Sequence, residues 1–342
     1  MFRAIKGLFI LASFYTLYFA RAFLLPVTLA VLFAFLLRPV VRTLKRIRIP
    51  EVAGAALVLA ILIGAAAYGT EQLTGPAIAW IDSAPQNFRA VEEKVRSIVL
   101  PVQKVAETAE ELHKITGAGE KEKPKVEVKS RPSLSDAFFS GMQEFVAKGA
   151  VMVFLLFFLL ASGDLFVHKL TNLFPGFHEK KEVVDIAQEI ETSVSRYLLT
   201  VTFINIIEGA VISLVMYFVG MPNPVLWGVM AGFLVFIPYI GPLLGVIVVA
   251  VVALLSFNSM GKILLAPGLY LAIDTLQGQI ITPFVLGARF ALNPVAIFVW
   301  LIFWGWIWGI TGALIAVPLL TVFKILCDRI QSLAPIGDFL GR

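Results

Sequence analysis

The chain has 342 residues, of which 59% are hydrophobic and 15% charged, with a net charge of +5 and a mean hydropathy of +0.89. That composition excludes a soluble globular domain and points to a polytopic helical membrane protein. Long continuous apolar runs in place of alternating ten-residue segments exclude a β-barrel. One cysteine, Cys327, and three scattered histidines, His113, His168 and His178, offer neither a disulfide nor a metal-ligand spacing. No metal or other cofactor is therefore expected. The positive residues sit beside apolar spans, which suits cytoplasmic loops better than a nucleic-acid partner.

In chain order, Leu8 to Ala20 and Ala22 to Leu37 are two short apolar segments separated by Arg21, with Pro26 near the start of the second. The pair reads as a helical hairpin, retained and not cleaved as a signal peptide. The basic loop from Arg38 to Arg48 follows, and the bias of Lys and Arg places it in the cytoplasm, together with the amino terminus. Val52 to Tyr68, rich in Ala and Gly, carries the chain outward.

Residues 76–140 then form the one soluble region. Phe88, Val91, Val95, Ile98, Val102, Val105, Ala109 and Leu112 recur at three- and four-residue steps, which predicts an amphipathic helix bent near Pro101. Gly117 to Pro132 has little to bury and reads as a charged linker. Phe145 to Ala161 returns to the cytoplasm, and residues 165–200 turn amphipathic, with Val183, Ile186, Ile190 and Val194 on one face. This segment is expected to lie along the membrane or pack under the bundle.

Val201 to Val219 is the next span and carries Asn205 and Glu208, three residues apart and so on one helix face. Asn223 to Phe257 is an apolar run with Pro238-Tyr239-Ile240-Gly241-Pro242 at its centre. Neither half reaches the roughly 20 residues a bilayer crossing needs. The prolines and glycine should break the helix and leave backbone groups unpaired, which in lipid is tolerated only inside protein or beside water. Transporters put their sites at such breaks.

Ile263 to Ile281 is polar in its second half, with Asp274, Gln277 and Gln279. Asn293 to Leu326 is a second long run, interrupted by Gly305, Gly309, Gly312 and Pro318 and bearing Trp300, Trp304, Trp306 and Trp308. Asn223-Pro224-Val225 and Asn293-Pro294-Val295 open the two interrupted runs, and each run follows a span with acidic and amide residues. A polar span followed by a glycine-broken hairpin thus occurs twice. If each hairpin leaves on the side it entered, the second unit is inverted relative to the first.

An ionised carboxylate at mid-membrane costs at least about 2.5 to 3.5 kcal/mol. Glu208 beside Asn205, and Asp274 beside Gln277, are the candidate proton or cation stations. Glu208, Asp274, Asn205, Gln277 and Gln279 make up the expected pathway, and Pro238, Tyr239, Gly241, Pro242 and Gly245 the expected break.

Phe157 to Asp164 (FFLLASGD), Leu173-Phe174-Pro175, Phe236 to Gly245 (FIPYIGPLLG), Pro283 to Arg289 (PFVLGAR), Asn293-Pro294 and Gly309 to Leu319 (GITGALIAVPL) occur in this order. Together they resemble the signature of the autoinducer-2 exporter family, the PerM-like permeases. The resemblance implies an all-α fold of about eight spans including re-entrant hairpins, a soluble insertion after the third, a homo-oligomer, and export or ion-coupled transport. Two positions depart from the family pattern. Leu198-Leu199-Thr200 stands where Arg-Gly is common, and Gln277 and Gln279 stand where an acid or Asn is common. The cargo, a small polar solute or a monovalent cation exchanged for protons, therefore stays open.

The expected organisation is residues 1–75 as amino-terminal spans, 76–140 as the extracytoplasmic insertion, 141–164 as a span and 165–200 as a cytoplasmic helix. Residues 201–328 form the carboxyl-terminal membrane domain and 329–342 a tail. The expected setting is the inner membrane, crossed several times, with lipids as neighbours and both termini cytoplasmic. The rival class is a membrane scaffold that binds a partner through the insertion. An enzyme is not expected, since no nucleophile and base pair, His-Glu-x-x-His or phosphate loop is present.

Overall fold

The computed structural model describes residues 7–8, 12, 15–107, 149–163, 177–286, 292–329 and 333–341, with backbone alone for 84–107, 177–183, 185, 186 and 329. Among them every element is helical, apart from one isolated bridge between Leu292 and Gly341. The helices are α1 (Arg21–Arg46), α2 (Glu51–Glu107), α3 (Gly149–Ala161), α4 (Phe177–Val219), α5 (Pro224–Leu234) and α6 (Ile240–Ser256). After them come α7 (Met260–Leu276), a π-turn (Gln277–Ile281), α8 (Thr282–Leu286), α9 (Pro294–Arg329) and α10 (Ala334–Leu340). Five of the described helical stretches are long and apolar enough to cross a bilayer, and three shorter ones are apolar. This is the all-α membrane architecture that composition predicts.

The amino-terminal hairpin is not formed. Ala20 accepts from Leu24 and donates to Thr16, both i to i−4 bonds, so the helical path bends slightly at Ala20 (φ −82°, ψ 8°) and continues through Arg21. Arg21 places its guanidinium 4.9 Å from the Tyr18 ring centroid, a contact that shields the charge without a turn. Leu17 and Arg46 therefore lie near opposite ends of one helical path, and the inference that the amino terminus shares the side of Arg38–Arg48 loses its basis.

Two further boundaries dissolve for the same reason, the lack of a residue that stops a helix. α2 runs unbroken past residue 76, and its 57 residues extend about 86 Å, well beyond a hydrocarbon core of about 30 Å. The expected amphipathic stripe of this helix involves side chains outside the described residues, as does the linker from Gly117 to Pro132. The expected surface helix is continuous with the span after it: α4 is one helix of 43 residues. Around Val194 it packs on the protein itself, since that side chain is fully buried in a cluster with Tyr197, Leu198, Trp304 and Ile307.

Both interrupted runs double back. In the first, Trp227 and Ala231 of α5 share a core with Val249, Val252 and Ala253 of α6. The turn at Val235–Tyr239 pulls the chain so tight that a Cβ on Gly241 would overlap the Leu234 carbonyl. In the second, α9 breaks at Gly309 (φ 67°, ψ −149°), backbone that essentially only glycine adopts. Trp300 then stacks on Phe323 with ring centroids 5.5 Å apart, and Gly312 lies against the Trp304 carbonyl. The mouth of this hairpin is tied shut by Asn293, whose amide donates to the Leu340 carbonyl at 2.9 Å.

α4 precedes the first hairpin antiparallel to α5, with Gly209 and Ser213 against Gly228, and Asn205 against Gly232. α7 follows antiparallel to α6, from Ile263 near Phe257 to Tyr270 on Gly245. Since α4 and α7 run in opposite senses, the two hairpins open toward opposite ends of the bundle.

Candidate functional site

The backbone break contributes little unpaired polarity of its own. The amides of Val235, Phe236, Ile237, Ile240 and Gly241 all donate within the turn, to Ala231, Phe233, Leu234, Pro238 and Ile237 respectively. The expectation of unpaired groups at the break fails for these five. Tyr239 occupies positive φ (66°) and is exposed, Pro238 and Pro242 are half-buried, and Gly241 and Gly245 are buried. The turn is a compact tip. It is the side chains beside it that lack partners.

Asn205 and Glu208, on adjacent turns of α4, are 2% and 4% exposed. Neither amide atom of Asn205 and neither carboxylate oxygen of Glu208 has a hydrogen-bond partner. Facing them from α7 are Tyr270, fully buried with an unpartnered hydroxyl, and Asp274, which is half-buried. The carboxyls of Glu208 and Asp274 lie close to each other between α4 and α7. Two ionised carboxylates hold no donor between them, so such a pair can share a hydrogen bond only when one of them carries a proton. At the Arg38–Arg42 end of the bundle Glu191 lies seventeen residues before Glu208, or about 25 Å along the helix, and Val219 lies about 16 Å beyond it. The pair thus sits deep within the span.

Gly245 sets this arrangement. A Cβ there would overlap the Tyr270 hydroxyl and approach its Cζ to 2.5 Å, so only glycine lets the phenol lie across α6. Tyr270, Asp274 and Gln277 follow at steps of four and three and share a face. Gln277 is 7% exposed and opens the π-turn, whose Thr282 amide reaches back to the Gln277 carbonyl. Such bulges recur at functional sites because the extra residue shifts side-chain direction. Gln279 is exposed and lies apart from the buried group.

The structure thus brings Asn205, Glu208 and Asp274 near the first tip, adds Tyr270, and buries Gln277 one turn beyond Asp274. Tyrosine in an apolar span one turn before an acid was a readable signal, but apolar periodicity absorbs it as packing. Among the described residues no group of three or more His, Cys, Asp or Glu is placed to hold a metal ion.

On the outer face of α4 and α5, Asn205, Gly209, Ser213, Gly228 and Gly232 help line an open apolar cavity of about 760 Å³. At one end of the bundle Arg38 and Arg42 meet Glu191 at 2.9 and 3.0 Å, and Lys45 meets Glu51 at 2.5 Å.

The sequence profile of the AI-2E family transporters matches residues 8–332. The AI-2 transport protein TqsA of Escherichia coli K12 is 27% identical over 95% of this chain and 92% of its own length. A putative transport protein of Borreliella burgdorferi is 29% identical over 58% of this chain, and YhhT of E. coli K12, another putative transport protein, is 29% identical over 43%. The chain spans only about half of those two relatives, 54% and 42%. The chain is a multi-pass membrane protein that belongs to the AI-2E transporter family.

Proposed function

We propose that the chain is a secondary-active permease that couples movement of its cargo to a proton or cation exchanged at Glu208 and Asp274. One observation carries this reading: three side chains more than nine-tenths buried, Asn205, Glu208 and Tyr270, have no partners for their polar atoms and surround one end of a re-entrant hairpin. An unpaired buried polar group costs about 1 to 3 kcal/mol, more for a charge, so a pathway cargo is the natural partner. Asp274 is the outer member of the acid pair and Glu208 the inner one. A proton passed between them changes which of the two can hold a cation or accept from a solute hydroxyl.

The cargo is a small polar solute, or sodium or lithium exchanged for protons. AI-2, by way of the TqsA name, is the first solute to try. We place the Arg38–Arg48 end in the cytoplasmic half of an inner membrane, which puts Leu17 toward the other side, and we infer a homo-oligomer.

The test is proton movement in proteoliposomes with an imposed pH gradient and an entrapped dye, on addition of sodium, lithium or potassium chloride or of AI-2. Collapse of the gradient with one cargo, lost in Asp274→Asn, is expected. An unchanged gradient for every cargo, from folded wild-type protein, removes the coupled-transport reading.

A further inference from the structure

The buried acids lie about 25 Å from the basic end of the bundle, and α4 itself connects the two. From Glu191 its residues step by three and four through Ser195, Leu198, Thr202 and Asn205 to Glu208. All but Leu198 are polar. In a helix that crosses a bilayer such a line of polar groups is costly unless it faces protein or water. Ser195 is 5% exposed and its hydroxyl has no partner, so the unpaired polarity of the site continues outward, one turn short of Glu191.

At Glu191 the line is closed by charge. Arg38 and Arg42 both bind its carboxylate, at 2.9 and 3.0 Å, with the Glu191 side chain 11% exposed. Arg38 donates a further bond to the Gly163 carbonyl at 2.7 Å, beyond the end of α3. Next to it Glu51, the first residue of α2, pairs with Lys45 and packs against Gly163. Four helices therefore meet at one ionic node. The opposite end of the same interface is different: Trp80 of α2 meets Trp227 of α5 edge-on at 5.5 Å, beside an apolar cavity of about 420 Å³.

We propose that Glu191, Ser195, Thr202 and Asn205 form the access path from the basic end to Glu208, and that the Arg38–Glu191–Arg42 node is the gate that keeps it shut in this conformation. The gate rests on the coupled-transport reading for its purpose. Its geometry is independent of the cargo. Opening it means parting α1 from α4 by breaking two ion pairs that are partly shielded from water, a change between two discrete arrangements and not a gradual one.

The test needs no cargo, so its outcome is separate from that of the transport assay. Ser195→Cys serves as a reporter in protein held in nanodiscs, probed with a charged maleimide, and the native Cys327, fully buried, serves as the internal control. Labelling at 195 is expected to be slow with the node intact and at least about tenfold faster with Glu191→Gln, while Cys327 stays protected. The exchanged pair Glu191→Arg with Arg38→Glu should slow it again. Arg42→Ala, which removes the more exposed arginine and leaves Arg38 in place, should give an intermediate rate. Unchanged labelling at 195 in both single variants overturns the gate, and so does a parallel rise at Cys327, which would make the node a general brace.

Discussion

The two re-entrant hairpins use one backbone device with two different linings. The first turns at Val235–Tyr239 through a proline- and glycine-rich tip, and the helices beside it bring Asn205, Glu208, Tyr270 and Asp274 against it. The second turns at Gly309 and is lined by indoles: Trp304 and Trp308 lie 4.3 Å apart, and Trp308 donates to the Leu17 carbonyl at 3.1 Å. Trp300 and Trp304 leave their ring N–H groups unpaired and stack among the rings of Phe303, Phe323 and Trp308. The contrast teaches that a broken helix alone does not make a site. The small residues of the first hairpin admit close neighbours with polar ends, and the large ones of the second fill the space and brace it against α1 and α4.

Breaking the comparison on the first side should have the largest effect. Glu208→Gln and Asp274→Asn each lower coupled transport by about a hundredfold or more, because the acid pair no longer exchanges one proton, with the purified protein eluting as wild type. Gly245→Ala drives a methyl into Tyr270 and should destabilise by about 1 to 3 kcal/mol in reversible unfolding. Adding Tyr270→Ala should recover part of that loss. If Gly245→Ala is silent, the close approach that positions the phenol is not needed.

On the second side the effects should be on stability alone. Gly309→Ala places a side chain at φ 67°, ψ −149° and should cost about 1 to 3 kcal/mol while coupling per folded protein persists. Trp304→Phe removes an indole N–H that has no partner and keeps most of the ring, so its change should stay within about 1.5 kcal/mol, read as a small shift in melting temperature. A loss of coupling in Trp304→Phe would erase the distinction between the hairpins.

Much of this was legible in the chain. Half-length apolar segments around Pro238 to Pro242 and around Gly309 announce hairpins, because neither half can cross a bilayer and the linking residues cannot continue a helix. Carboxylates inside spans announce a site because lipid makes them costly. Single charged or helix-breaking residues are weak punctuation in this chain. Arg21 looked like a turn, but its contact with Tyr18 lets the helix pass. Thr200 and Pro76 looked like boundaries, but nothing there forces the backbone out of helical geometry.

The meeting of Glu208 with Asp274 was not legible, since it depends on the antiparallel register of α4, α6 and α7, which Gly209, Gly228, Gly245 and Tyr270 set through contacts far apart in sequence. The π-turn at Gln277 was equally hidden, although it falls in the most polar part of its span.

The central claim is that Glu208 and Asp274 act as one proton-exchanging pair, and infrared difference spectroscopy of the carboxyl stretch on cargo binding tests it most directly. A protonated-carboxyl band that disappears when the cargo binds wild-type protein, and that is missing from both Glu208→Gln and Asp274→Asn, is the predicted result. Cargo binding with the same carboxyl spectrum in wild type and both variants would contradict it.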